Sequence, residues 1–322
     1  MLPTAWRTNT GQPPAHTICM GNPMKYAYRV VDVFTQTSFA GNPVAVVLDA
    51  QRLDTQTMQA IASWTNLSET TFVLPPQSAG ADYRLRIFTP RSELLFAGHP
   101  TLGSAHAVLD CGRVTPRDGR LVQECGVGLV ALRVEGSGAD RVVHFTLPPA
   151  TQQALTDADI EELEAILGAQ VDRVAAPMRV DVGAVWVVAR VADVAHLLAL
   201  TPDFGRARLF EQRLGATGIS VFANHAHTLA DIEVRSFAAS QGVNEDPVCG
   251  SGNGSVAVFR HARALLPPGG VRYHATQGGC LGRAGRLVVS VEPDGAVQVG
   301  GQCVTTAPEV KVFVDTAPVA EK

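Results

Sequence analysis

RLRIFTPRSELLFAGHPTLGSAH (84–106) is the most informative stretch of the sequence, because a similar unit returns as IEVRSFAASQGVNEDPVCGSGNGS (232–255). Each copy begins with an alternating strand pattern, continues through a loop, and ends in a glycine-containing segment that precedes a helix of small residues. The glycine segments are AGHPT (97–101) and CGSGNG (249–254). Their shared order predicts a duplicated fold, with a cleft between the two halves.

The two glycine segments have a chemical interpretation as well as a structural one. Glycine lets the backbone approach a ligand, and the first N–H groups of a helix point outward with a partial positive charge. Two such helix ends facing one cleft would bind an anion, most simply a carboxylate, and would stabilise charge that develops when a proton leaves carbon. The alternative, that the glycines only form tight turns, stays open. Neither segment matches a Walker or GxGxxG nucleotide motif.

The remainder of the chain predicts a mixed α/β (α+β) protein with many strands and few helices. The expected helices cover 54–64, 102–109, 157–167 and 255–264. The expected strands cover 28–34, 44–48, 70–74, 83–89, 185–191, 218–223, 231–237, 286–291, 297–299 and 311–314. With 322 residues, two domains are the natural expectation.

The boundaries we predict are residues 24–148 for one half and 149–322 for the other, with the last strand a candidate to return to the first half. Residues 1–23 are polar, carry four prolines and show no periodicity, which indicates a disordered extension or upstream sequence before a start at Met24. Hydrophobic residues make up 46% and charged residues 17%, as in globular enzymes.

The net charge and the cysteines limit the kinds of partner and the cellular compartment that we expect. The formal net charge of −4 gives no reason to expect nucleic acid, and no apolar run is long enough to span a membrane. Six cysteines lie far apart without a CxxC or zinc spacing, and no signal peptide is recognisable, so we expect reduced thiols and a cytoplasmic protein.

Three side chains are candidates for acid–base chemistry. Glu69 lies between an apolar helix and an apolar strand, where burial would raise its pKa towards neutrality; the alternative is a surface acid at a strand end. His99 lies at a glycine-flanked helix start, and its alternative is a histidine bonded to backbone. Asp246 could join them or could be an ordinary turn acid.

Two further features are weaker. His225 and His227 form an HxH pattern without a third metal ligand nearby, so solvated loop histidines are the favoured interpretation. Cys249 precedes Gly250 at a predicted helix start, where a thiolate would be stabilised, so it is a candidate nucleophile or acid; a small packing residue is an equal alternative.

Several landmarks together resemble the PhzF-like isomerase and epimerase family of phenazine biosynthesis, within the wider diaminopimelate epimerase-like fold. These landmarks are VDVFTQTSFAGNPVAVVL (31–48), NLSETTFVL (66–74), FTPRSELLFAGHPTLGSAH (88–106), EDPVCGSGNG (245–254) and GGCLGRAGRLVV (278–289). The resemblance implies two similar α/β domains, each a β-sheet curled around a central helix. It also implies a homodimer that needs neither a metal nor an organic cofactor.

Carried over by motif, the resemblance implies catalytic roles for Glu69 as acid/base, His99 as polarising group and Asp246 as its partner. The substrate-binding residues that it implies are Asn42, Gly98, Gly250, Ser251 and Gly252.

Racemases and epimerases of the wider fold use two cysteines, but here only Cys249 is present and Ala97 occupies the other position. We therefore expect a cofactor-independent isomerase that shifts a proton on a small carboxylate-bearing substrate, with Glu69 as the single base. Two alternatives stay open: an epimerase or racemase that uses Cys249 with Glu69, and a ligand-binding homologue without catalysis. The sequence leaves the substrate and pathway open.

Overall fold

A computed structural model describes residues 24–227 and 231–314, so the expectation of a disordered extension at 1–23 lies outside the described residues. In the first half the strands are β1 (Met24–Val33), β2 (Asn42–Val47), β3 (Thr70–Leu74), β4 (Tyr83–Phe88), β5 (Glu93–Leu94), β6 (Arg120–Cys125), β7 (Gly128–Glu135) and β8 (Val142–Thr146). The helices are α1 (Thr55–Thr65) and α2 (Gly98–Asp110).

In the second half the strands are β9 (Thr151–Ala154), β10 (Met178–Asp181), β11 (Val185–Arg190), β12 (Gly218–Asn224), β13 (Ile232–Ala238), β14 (Val243–Asp246), β15 (Val271–Gln277), β16 (Gly285–Val291), β17 (Val297–Gly301) and β18 (Cys303–Val314). The helices are α3 (Asp157–Leu167), α4 (Val194–Leu198), α5 (Phe204–Leu214) and α6 (Gly250–Ala262). Short 3-10 turns cover Ala50–Arg52, Gly138–Asp140, Ala239–Gln241 and Gly279–Leu281.

Strand pairing repeats the predicted duplication. In the first half β1–β2 pair antiparallel, β2–β3 parallel, β3–β4 antiparallel, β4–β6 parallel, and β6–β7–β8 antiparallel. In the second half β10–β11, β11–β12, β12–β13, β13–β15 and β15–β16–β17 follow the same sequence of directions. The two sheets join where β8 pairs with β17, and β18, the last strand of the chain that the structure describes, pairs with β1 of the first sheet.

Each sheet curls around one buried helix. Helix α2 contacts strands from β1 to β8, and α6 contacts strands from β10 to β17. The first sheet approaches α2 so closely at Gly103 that a Cβ there would lie 2.3 Å from Val44 Cγ1 and 2.9 Å from Val33 Cγ2. Only glycine fits at that contact, because protein interiors leave no spare volume for another carbon. Helices α1, α3 and α5 pack on the outer faces of the sheets.

Candidate active site

Glu69 is the residue immediately before β3, directly after the turn that ends α1 at Asn66. Its side chain is 16% exposed, and its Oε2 lies 3.3 Å from Nε2 of His99 in the first turn of α2. Neither of these two buried atoms has a hydrogen-bond partner in the part of the chain that the structure describes. The fold therefore brings the predicted acid and the predicted histidine together as a close pair.

Burial moves the pKa values of the two groups in opposite directions. It raises the pKa of Glu69 from 4.5 to about 7, against a smaller lowering by a hydrogen bond from the Ser68 side chain. It lowers the pKa of His99 from 6.5 to about 4, while the charge of Asp246 and a hydrogen bond to the Pro43 backbone act the other way. At neutral pH the imidazole is uncharged, and Glu69 is poised between its two protonation states.

The hydrogen bonds of His99 assign its tautomer. The Pro43 backbone offers the His99 ring an acceptor and no donor, and Nε2 has no partner among the described residues, so we assign the proton to Nδ1. Nε2 then presents a lone pair towards Glu69. This lone pair can accept a hydrogen bond from the protonated Glu69 carboxyl or from a bound ligand.

Asp246 ends β14 and faces the same pair. Its Oδ1 accepts hydrogen bonds from Asn42 Nδ2 (3.1 Å) and from the Val248 backbone N–H (3.0 Å). Burial raises the pKa of Asp246 to about 6; the His99 charge lowers it and the Glu69 charge raises it. Asp246 is only partly exposed and two donors hold its Oδ1, which the interpretation as an ordinary turn acid does not describe.

Asn42 links the two halves. Its Nδ2 donates both to Asp246 and to the Val248 carbonyl, at 2.9 Å, so both amide hydrogens already bind protein atoms. In the structure Asn42 therefore positions Asp246, and only its side-chain oxygen is available to a ligand.

The two glycine segments lead into helices, as predicted, but the helices already begin within them, at Gly98 and Gly250. Both helix ends pack on one aromatic ring: a Cβ on Gly98 would lie 2.7 Å from Phe145 Cζ, and a Cβ on Gly250 would lie 3.8 Å from the same atom and 3.3 Å from Phe34 Cζ. These glycines thus permit close packing of the helix ends. Apart from Gly252, whose amide bonds Cys249 Sγ, the N–H groups that precede the first intrahelical bonds have no hydrogen-bond partner among the described residues and can bind an anion.

The first turn of α6 differs from the predicted anion-binding site at one residue. The Gly252 N–H donates to Cys249 Sγ at 3.3 Å, so this amide already has a partner. Burial raises the pKa of the Cys249 thiol well above 9, with a further increase from the Asp246 charge. The expectation that this helix end stabilises a thiolate is therefore wrong, because desolvation outweighs the backbone hydrogen bond.

Ser251 accepts a hydrogen bond from Trp186 Nε1 at 3.1 Å, and its Oγ lies 3.7 Å from Cys249 Sγ. Sequence reasoning named Ser251 but missed Trp186, which lies 65 residues away along the chain.

A buried glutamine on β15 was also missed. Gln277 Oε1 accepts from the Cys249 N–H (3.1 Å) and from Asn253 Nδ2 (2.8 Å), and its Nε2 donates to the Asp246 carbonyl (2.9 Å). This carboxamide fixes both the backbone of Asp246 and the start of α6. The available sequence signal was the alternation in VRYHATQ, which places Gln277 on the same buried face as Tyr273 and Ala275.

The HxH pattern does not form part of this site. His225 Nε2 bonds Thr276 Oγ1 at 3.0 Å. Within residues 24–227 and 231–314, no group of three His, Cys, Asp or Glu side chains could hold a metal ion. Over the same ranges no helix is both long and apolar enough to cross a membrane.

Residues 31–308 match the family model described as phenazine biosynthesis-like protein, PhzC-PhzF. The chain is a member of the PhzF family. The trans-2,3-dihydro-3-hydroxyanthranilate isomerase of Pseudomonas aeruginosa is 35% identical over 283 residues, covering 86% of this chain and 95% of that protein. Antisense-enhancing sequence 1 of Schizosaccharomyces pombe is 40% identical over 289 residues, covering 87% and 97%.

A solved PhzF-family structure from Bacillus anthracis superimposes with a TM-score of 0.81 at 22% identity, over 90% of this chain and all of that one. At that identity the likeness shows the fold alone, and it confirms the predicted fold class. Together with the named relatives, family membership makes this PhzF-family protein an isomerase.

Proposed function

We propose that the protein catalyses a proton shift on a small carboxylate-bearing substrate without a cofactor, with Glu69 as the single acid/base group. The observation that carries the proposal is the buried pair of Glu69 and His99, 3.3 Å apart, in which the pKa of Glu69 is raised to about 7. An acid with a pKa near the working pH both takes and returns a proton efficiently.

The proposed reaction has two steps at one carboxyl. Ionised Glu69 removes a proton from a substrate carbon, and the neutral carboxyl that results returns that proton to another carbon. In this proposal His99 Nε2, which lies 3.3 Å from Glu69 Oε2 without a hydrogen bond in the structure, becomes the acceptor of the protonated carboxyl and holds it in place. The N–H groups at the starts of α2 and α6 stabilise the negative charge that develops on the substrate in between.

The substrate carboxylate is proposed to bind at these helix ends, as in the sequence-based expectation, with Gly98, Gly250 and Ser251 as contacts. The relative from Pseudomonas aeruginosa is named for trans-2,3-dihydro-3-hydroxyanthranilate, itself a carboxylate, which makes that acid the first candidate. Burial keeps Cys249 protonated, so it is not a second base; a thiol could still donate a proton on the opposite face, and the Cys249→Ala variant tests that epimerase alternative. The homodimer and the cytoplasmic location stay predictions.

The test measures substrate isomerisation and deuterium uptake from D2O for that acid and for related cyclic amino and hydroxy acids. Glu69→Gln should lower turnover by about a thousandfold, because general acid–base groups contribute factors of this size. The matched control is Thr217→Val: Thr217 precedes β12 as Glu69 precedes β3, and each of these strands runs parallel to its neighbour.

Thr217 Oγ1 accepts only a backbone hydrogen bond from Val185 in the described chain, so Thr217→Val should keep turnover within a few-fold. Turnover by Glu69→Gln at the wild-type rate would remove Glu69 from the chemistry.

A further inference from the structure

Trp186 is the second residue of β11, it is 2% exposed, and its indole N–H donates to Ser251 Oγ. We propose that Trp186 is a positioning residue that fixes Ser251 as a hydrogen-bond donor into the cleft, so that the α6 end of the site binds a carboxylate oxygen. This inference rests on the proposed function and names the group that orients the substrate.

The argument begins with the chemistry of the two side chains. An indole N–H can only donate, so Ser251 Oγ must accept at the 3.1 Å contact. The hydroxyl hydrogen of Ser251 is then directed elsewhere. Its nearest acceptor within the described part of the chain is Cys249 Sγ, at 3.7 Å, and this sulfur already accepts the Gly252 N–H. Because sulfur is a weak acceptor, a ligand oxygen at the helix end would take the hydrogen in preference.

The packing of Trp186 holds this arrangement in one orientation. The residue pairs with Gly218 across the parallel β11–β12 ladder, and a Cβ on Gly218 would lie 2.7 Å from Trp186 Cζ3. Because Gly218 has no side chain, it leaves the space that the indole of Trp186 fills. Since Ser251 belongs to the first turn of a buried helix, both partners of the hydrogen bond are fixed by the fold.

The two helix ends consequently offer opposite hydrogen-bonding polarity. At α2 the neutral His99 presents a lone pair on Nε2, and at α6 Ser251 presents a hydrogen. A carboxylate has no hydrogen to offer His99 but accepts readily from Ser251 and the helix N–H groups. Between the two helix ends, Ser251 thus draws the carboxylate to the α6 side, with the Gly98 end still in contact, and leaves the reacting carbons towards Glu69.

The experiment measures binding by isothermal titration calorimetry, separately from turnover. The probes are 3-hydroxyanthranilate, an aromatic acid with the substituents in the relative's substrate name, and its carboxamide, which replaces one acceptor oxygen with a donor. The wild type should bind the acid more tightly than the amide. Ser251→Ala should weaken binding of the acid about tenfold, and Trp186→Phe at least fivefold, as expected for loss of one charge-assisted hydrogen bond.

A double-mutant cycle separates positioning from packing. If Trp186 acts through Ser251, the double variant Trp186→Phe with Ser251→Ala should bind the acid no more weakly than Ser251→Ala alone. Val187→Ala is the matched control, because Val187 is the adjacent β11 residue and packs with the apolar side chains of α3, α4 and α5. It should lose stability without changing affinity for the acid. If Trp186→Phe does not fold, 3-benzothienylalanine at position 186 keeps the ring shape and removes only the N–H donor.

Unchanged affinity in the Trp186 variants, or additive losses in the double variant, would overturn the inference. Failure of the wild type to bind the acid would also overturn it, since Ser251 would then have no carboxylate to bind. Glu69→Gln distinguishes this outcome from failure of the proposed function: that variant should still bind the acid. Should it also still catalyse, the proposed chemistry fails while the Trp186 result stands.

Discussion

The first turns of α2 and α6 are built on the same frame. Each helix begins at a glycine, and each is held by a buried glutamine from the strand that extends its own sheet. Gln123 Nε2 donates to Thr101 Oγ1 at 3.0 Å in the first half, and Gln277 accepts from Asn253 at the matching position of the second. The frame that presents helix N–H groups to the cleft is therefore duplicated.

The titratable groups on that frame are not duplicated. Where α2 carries His99, α6 carries Ser251, and where Cys249 precedes α6, Ala97 precedes α2. Glu69 has Thr217 as its counterpart, as the position before each parallel strand shows. The difference indicates a site with an acid–base side in the first half and a side of fixed hydrogen-bond donors in the second.

The largest expected effect concerns stability on the acid–base side. Folding raises the pKa of Glu69 from 4.5 to about 7, so between these pH values the folded protein retains a proton that the unfolded chain has released. Stability falls as pH rises through this window. Glu69→Gln cannot ionise, so its stability relative to wild type should grow by about 2 kcal/mol between pH 5 and pH 8. Urea unfolding at the two pH values measures this; a constant difference would show that Glu69 has an ordinary pKa.

Replacement of His99 is expected to have a similarly large effect, on turnover instead of stability. His99→Asn keeps a donor near the Pro43 carbonyl but removes the Nε2 acceptor that faces Glu69. We expect kcat to fall about a hundredfold, a typical contribution for a group that holds the acid–base residue in place. If steady-state kinetics instead show a change in KM alone, the histidine binds substrate and does not act on Glu69.

A smaller difference is expected between the two glycines. In Gly98→Ala the new carbon meets Phe145 Cζ at 2.7 Å, whereas in Gly250→Ala it meets Phe34 Cζ at 3.3 Å. Overpacking of this kind costs about 1–3 kcal/mol, so Gly98→Ala should lose about 2 kcal/mol of unfolding free energy and Gly250→Ala less than about 1 kcal/mol. Thermal or urea unfolding of both variants gives the order; the reverse order would contradict the packing described for the two helix ends.

The smallest effect is expected at the thiol. Because burial keeps Cys249 protonated, Cys249→Ala should change turnover by less than about threefold. A loss of turnover as large as that of Glu69→Gln, with inversion at a deuterium-labelled stereocentre, would favour the epimerase alternative. Both halves would then contribute an acid–base group.

Some elements of the fold were predictable because their signals are local. Helix α3 has the predicted bounds, Asp157–Leu167, because Thr156 and Asp159 form a reciprocal capping box and Gly168 ends the helix in the left-handed region. Helix α5 was missed because polar and apolar residues are mixed around FGRARLFEQRL and only a narrow face, Ala207, Phe210 and Glu211, is buried. The last strand begins at Cys303, well before the predicted 311, because residues 303–307 pair with β1 across a register shift and show no alternating pattern.

The site shows the same division between local and long-range signals. Glu69, His99 and Asp246 could be named from motifs, since each lies beside a recognisable landmark. The partners that set their chemistry could not, because Trp186, Gln277 and Phe145 reach the site only through sheet curvature. The starts of α2 and α6 were predicted four to five residues too late. Glycine and proline have low helix propensity, but tertiary packing makes these residues helical here.

The most direct test of the central claim is a pH titration of the Glu69 carboxyl itself. Protein labelled with carbon-13 at the glutamate side-chain carboxyls is titrated by NMR, and the spectrum of Glu69→Gln identifies the resonance. The proposed one-base chemistry predicts a midpoint near 7, because burial beside a neutral His99 holds the proton on the carboxyl. A midpoint near the ordinary value of 4.5 would contradict it.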